Sequence, residues 1–120
     1  MFRNHHSLVK SFTNAFRGIR YAFGERSFVV QVIIGFLAMV LAFILGLSFV
    51  EKVVIVIFSA LVLVVEIINT AFERTLDKIC PEQNQEIARI KDLSAAAVLI
   101  FSVAAFLVGL WIFGRAIFFK

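Results

Sequence analysis

Three apolar runs decide what this chain can become. Residues 28–50, "FVVQVIIGFLAMVLAFILGLSFV", are interrupted only by Gln31 and Ser48, and residues 93–114, "LSAAAVLIFSVAAFLVGLWIFG", are as apolar. A helix needs roughly 20 such residues to cross the hydrocarbon core of a bilayer. The chain has 120 residues and is 62% hydrophobic, against about 45–50% in soluble domains. So small a soluble fold has too little interior to hide these runs. The expected fold is therefore an all-α membrane protein in one unit. An N-terminal amphipathic surface helix falls within residues 1–24. Transmembrane helices are expected at 28–50, 53–79 and 92–114, and residues 80–91 form a cytoplasmic loop. Gly35 and Gly46 read as packing positions, and Gly24 as the break before the first span.

The second run is the anomalous one. Its apolar part, Val53 to Val65, ends at Glu66 and is followed by Asn69, Glu73 and Asp77. At ~1.5 Å per residue that part covers roughly 20 Å of a core about 30 Å thick. A helix cannot stop in lipid with its backbone groups unpaired, so it continues through Glu66. A carboxylate is thus expected inside the membrane, near one face.

Lysine and arginine say which face. Arg3, Lys10, Arg17, Arg20 and Arg26 precede the first span, and Arg74, Lys78, Arg89 and Lys91 lie between the second and third. Only Lys52, Arg115 and Lys120 fall on the other side. This bias places the N-terminus and the 73–92 region in the cytoplasm and the C-terminus outside. The net charge of +4 then reflects topology, and no nucleic-acid partner is expected. In "LVKSFTNAFRGIRYAF", Leu8, Phe12, Phe16, Ile19 and Phe23 recur at helical spacing. That pattern fits a helix lying on the inner leaflet with its cations toward anionic head groups.

The polar column carries the chemistry. At ~100° per residue Glu66, Asn69, Glu73 and Asp77 fall on one stripe of the helix. Glu66 and Glu73 are separated by about 10 Å along the axis, so two roles at two depths are expected. A base in the shallow membrane and a metal-binding carboxylate nearer water fit that division. Carboxylates and an amide oxygen are hard ligands suited to Mg²⁺. Lys91 supplies a point charge for phosphate. Phosphoryl transfer asks for little beyond positioning, charge neutralisation and a group orienting the nucleophile. Read alone, Glu25, Glu82 and Glu86 are ordinary surface charges, and Arg74 and Lys78 are cations at a helix C-terminus. An intramembrane glutamate is a functional candidate by default.

"EIINTAFE" at 66–73, followed by "KDLSAAAV" at 91–98, resembles the signature of the small prokaryotic membrane kinases of the diacylglycerol kinase and undecaprenol kinase family. The resemblance covers nearly the whole chain. It implies an ATP- and Mg²⁺-dependent lipid kinase of the bacterial cytoplasmic membrane, with diacylglycerol or undecaprenol as acceptor. On it, Glu66 corresponds to the catalytic base, Glu73 and Glu25 to metal-binding glutamates, and Asn69 to a neighbour of the transferred phosphate. Lys91 and Asp92 correspond to nucleotide contacts, and Glu82, Gln83 and Asn84 to a stretch near the nucleotide. The family also implies a homotrimer with shared active sites. Three helices per chain point the same way, since they are expected to leave the stripe partly facing lipid. One alternative is a small proton-coupled transporter built around Glu66, which requires that residue near mid-membrane. A non-catalytic scaffold leaves the stripe unexplained.

Overall fold

The computed structural model describes residues 6–119. They form four helices: α1 (His6–Ala22), α2 (Arg26–Ile44), α3 (Phe49–Ile79) and α4 (Gln85–Phe118), with no strand among the described residues. The first five residues of the expected surface helix, and Lys120, lie outside this description. Helices α2, α3 and α4 are each long and apolar enough to cross a membrane. They run antiparallel in sequence, and α3 packs against both α2 and α4.

The interior is small. Ala42, Leu47, Ile55 and Ile112 make a buried cluster where the end of α2, the start of α3 and the end of α4 meet. Many large apolar side chains stay exposed, among them Ile34, Phe36, Ile57, Leu99, Phe106 and Trp111. Helices apolar all round, with little core to hide in, suit a lipid surrounding. Gly35 lets α2 approach α3 closely: a Cβ there would stand 3.3 Å from Ser59 Cβ. Helix α1 is amphipathic and makes only marginal contact with the bundle, leaving Leu8, Phe12 and Phe16 exposed.

The helix ends differ from expectation, each for a local reason. The span expected at 28–50 starts at Arg26 and stops at Ile44. Gly46 adopts a φ of 65°, with Gly46 N donating to Phe43 O at 3.2 Å and Leu47 N to Ala42 O at 3.0 Å. This is the glycine-terminated Schellman stop. Gly46 therefore ends a helix rather than serving as a packing residue. Helix α3 begins at Phe49, four residues before the expected 53, because Ser48 and Glu51 form a reciprocal capping box. Glu51 N donates to Ser48 Oγ at 3.2 Å and Ser48 N to Glu51 Oε1 at 3.1 Å. Such a cap is worth about 1 kcal/mol. The expected loop 80–91 shrinks to residues 80–84, since α4 starts at Gln85. Asn84 Oδ1 caps it, accepting from Glu86 N at 2.8 Å and Ile87 N at 3.4 Å. The following residues are good helix formers, and their polarity had suggested a loop. At the far end α4 runs to Phe118, past the expected 114, and Arg115 Nη2 reaches Glu51 Oε2 at 2.7 Å.

Candidate active site

The helix that carries the polar stripe can be read as a ruler. Glu51 is in its first turn, tied to Arg115. Along the axis Glu66 stands about 22 Å from Glu51, Asn69 about 27 Å and Glu73 about 33 Å. Against a hydrocarbon core about 30 Å thick, Glu66 falls inside near the second boundary and Glu73 falls just beyond it. Helix α2, 19 residues long, covers about 28 Å. Its N-terminus therefore reaches the level of that same boundary.

At the inner level Glu66 is buried, at 7% exposure. Its Oε2 accepts a hydrogen bond from Ser27 Oγ at 3.1 Å. Among the described residues no cation pairs with it. The single chain thus covers Glu66 by itself. That corrects the expectation that three helices leave this part of the stripe facing lipid. Next toward the boundary, Asn69 Oδ1 accepts from Ser94 Oγ at 2.6 Å, joining α3 to α4.

At the outer level of this end, two ion pairs cross between elements. Arg74 on α3 pairs with Glu25, just before α2, and Lys91 on α4 pairs with Asp77 on α3. Glu25 occupies the N-cap position of α2 but makes no side-chain cap bond. Its carboxylate is drawn to Arg74 instead, one residue from Glu73 along α3. A cleft of about 480 Å³ opens beside this end, with Asp77, Glu82, Gln83, Asn84, Ile87 and Lys91 among its lining residues.

The structure therefore brings Glu82, Gln83, Asn84 and Lys91 to one cleft, and sets Glu25 against α3 at the level of Glu73–Arg74. Asp92 is exposed and does not line that cleft. Part of the capacity of Asn84 is taken by its capping role. Among the described residues no three His, Cys, Asp or Glu side chains converge as a ready metal cage. Arg74 is a partner of Glu25, not simply a cation at a helix terminus. Sequence reasoning missed Ser27 and Ser94. A serine at the start of a helix resembles a cap, and one in an Ala-rich run resembles packing, so neither announces a bond to a distant polar group.

Comparison with known families matches residues 13–113 to the prokaryotic diacylglycerol kinase family. Over 105 residues the chain is 35% identical to the diacylglycerol kinase of Synechocystis sp., covering 86% of this chain and 60% of that protein. It is 33% identical over 105 residues to the undecaprenol kinase of Bacillus subtilis, covering 87% and 85% of the two chains. Against the diacylglycerol kinase of Escherichia coli it is 32% identical over 99 residues, covering 82% and 81%.

Proposed function

The chain belongs to the prokaryotic diacylglycerol kinase family, and from that membership we propose that it phosphorylates the hydroxyl of a membrane lipid with ATP. The observation that carries this reading is Glu66, a carboxylate buried at 7% exposure just inside the boundary where a lipid hydroxyl rests. An enzyme that acts on such a hydroxyl needs its base at that depth. A transporter built on one carboxylate needs it near the middle of the bilayer, and a position about 22 Å along a core of about 30 Å is off-centre.

The reaction divides along α3. Glu66 accepts the proton of the lipid hydroxyl as the lipid oxygen attacks the γ-phosphorus of ATP. The bond from that phosphorus to the β,γ-bridging oxygen breaks, and its electron pair leaves with ADP. Glu66 then returns its proton to solvent. Asn69 lies between base and boundary, beside the transferred phosphoryl group. Lys91, with Glu82, Gln83 and Asn84, faces the nucleotide from the cleft, and Asp92, the eighth residue of α4 and outside that lining, meets the part of the nucleotide that projects beyond it. Lys91 exchanges Asp77 for a phosphate oxygen when nucleotide enters.

The donor set suits Mg²⁺. Glu25 and Glu73 are hard oxygen ligands at the water boundary, and Mg²⁺ usually needs only one or two carboxylates, keeping several waters and bridging phosphates. An ion held by these residues would supply charge neutralisation for the transferred phosphoryl group. Arg74 holds the Glu25 carboxylate against α3 meanwhile.

In the cell the chain sits in the cytoplasmic membrane with its N-terminus and the 73–92 region inside. It assembles as a closed trimer, with the remaining apolar faces turned to lipid. Purified protein given labelled ATP, Mg²⁺ and either diacylglycerol or undecaprenol tests the reading. Label is expected in at least one lipid, from the trimeric fraction of a mild-detergent preparation. No transfer to either lipid overturns the kinase assignment, and full activity in a monomeric fraction overturns the trimer.

A further inference from the structure

We infer that Ser27 is a positioning residue for phosphoryl transfer, fixing the Glu66 carboxylate so that Oε1 is left to meet the acceptor hydroxyl. This rests on the reading of Glu66 as the base. The carboxylate hangs on a long side chain whose terminal torsion is broad and roughly two-fold. A base must lie within hydrogen-bond reach of the proton it takes, so its geometry matters as much as its charge. Among the described residues Glu66 accepts a side-chain hydrogen bond from Ser27 Oγ to Oε2, at 3.1 Å. The donor comes from a different helix, 39 positions away.

The placement of Ser27 favours this role over simple packing. Ser27 is the second residue of α2 and is itself exposed, while Glu66 is buried. Its hydroxyl reaches the carboxylate without belonging to the core. A donor on one oxygen leaves the other free, and the turn before α2 fixes where that donor stands. The N-cap Glu25 is held to Arg74 on α3, and Phe23 meets Phe28 edge to face, with ring centroids 5.2 Å apart. Both contacts anchor the start of α2, so the serine hydroxyl is presented from a fixed support.

The test uses the full chain in detergent–lipid mixed micelles with ATP, Mg²⁺ and diacylglycerol or undecaprenol, whichever is phosphorylated. Ser27→Ala is expected to lower kcat at least about tenfold, the lower end of what one hydrogen bond to a charged group contributes. The KM values for ATP and lipid should stay within twofold. Ser27→Thr keeps the hydroxyl and should recover at least half of the lost turnover. In a Glu66→Gln background Ser27→Ala should cost less than twofold more, because its effect runs through the carboxylate. Ser27→Ala with kcat within twofold of the parent overturns the inference while leaving Glu66 as the base. A threonine variant as impaired as the alanine one also overturns it, as does a loss confined to KM. Activity retained by Glu66→Gln alone overturns the base and the positioning role together. Ser27→Ala takes the donor from a buried carboxylate, so its melting temperature is expected to fall below the parent's, and Ser27→Thr, which keeps the hydroxyl, is expected to restore it.

Discussion

Glu66→Gln is expected to leave a folded, nucleotide-binding protein that has lost about 10²–10⁴-fold in turnover, the range contributed by a general base. Glutamine has nearly the same shape, and its amide oxygen can still accept the bond from Ser27 Oγ. What it cannot do is take a proton from the lipid hydroxyl. Nucleotide affinity should hold, because the cleft lined by Glu82, Gln83 and Lys91 lies more than two helical turns further along α3. Thermal stability should not fall. The parent buries a carboxylate without a cationic partner among the described residues, and uncompensated buried charge is destabilising. A neutral amide relieves that cost, so the melting temperature is expected to equal or exceed the parent's. Steady-state transfer to lipid, nucleotide binding and a thermal melt on the same preparation check all three. Turnover within threefold of the parent would defeat the assignment of Glu66.

The contrast between chemistry and support explains what could be read without coordinates. Hydrophobic length marks the first and third spans, and the second follows because lipid penalises a helix that stops short with its backbone unpaired. The stripe from Glu66 to Asp77 was legible from the 3.6-residue period and from the cost of polar groups in hydrocarbon. Helix ends were less so. The apolar run through Val50 hid the stop at Gly46, where left-handed backbone ends α2 inside an otherwise spanning sequence. Ser48 and Glu51 have the spacing of a capping box, but apolar residues on both sides of them leave the start of α3 unmarked by pattern alone. Polarity at residues 85–91 does not mark a loop, because a helix leaving the membrane is free to be polar. Partners across helices were not legible at all. Ser27 and Glu66 are 39 positions apart, and Glu25 and Arg74 are 49 apart. Their meeting depends on how α2 slides against α3, which a single chain's periodicity does not specify. The roles of the site residues that the resemblance implies are matters for mutation.

Glu73→Gln is expected to fail in a different way, and the difference separates the two levels of the site. Glu73 stands about 33 Å along α3 from Glu51, just past a hydrocarbon core of about 30 Å. It is half-buried rather than enclosed. A carboxylate there meets water and ions, not the lipid hydroxyl about 10 Å deeper. Its neighbour Arg74 holds Glu25 at the same level of α3, and the proposed site asks these two carboxylates to share one hydrated Mg²⁺. Glutamine keeps a neutral oxygen but loses the charge that draws a hard cation. Loss of a mere supporting partner typically costs 10–100-fold in metal affinity, so losing a ligand's charge should raise the Mg²⁺ requirement by at least about that much. Turnover should then recover in large part when Mg²⁺ is made saturating, because the base at Glu66 is intact. Glu66→Gln is expected to show the reverse, with an unchanged Mg²⁺ requirement and no recovery at any concentration. A Mg²⁺ titration of the parent and both variants at saturating ATP and lipid makes the comparison. Identical Mg²⁺ curves for the two variants would mean that the carboxylates act as one group, and the division of labour along α3 would fall.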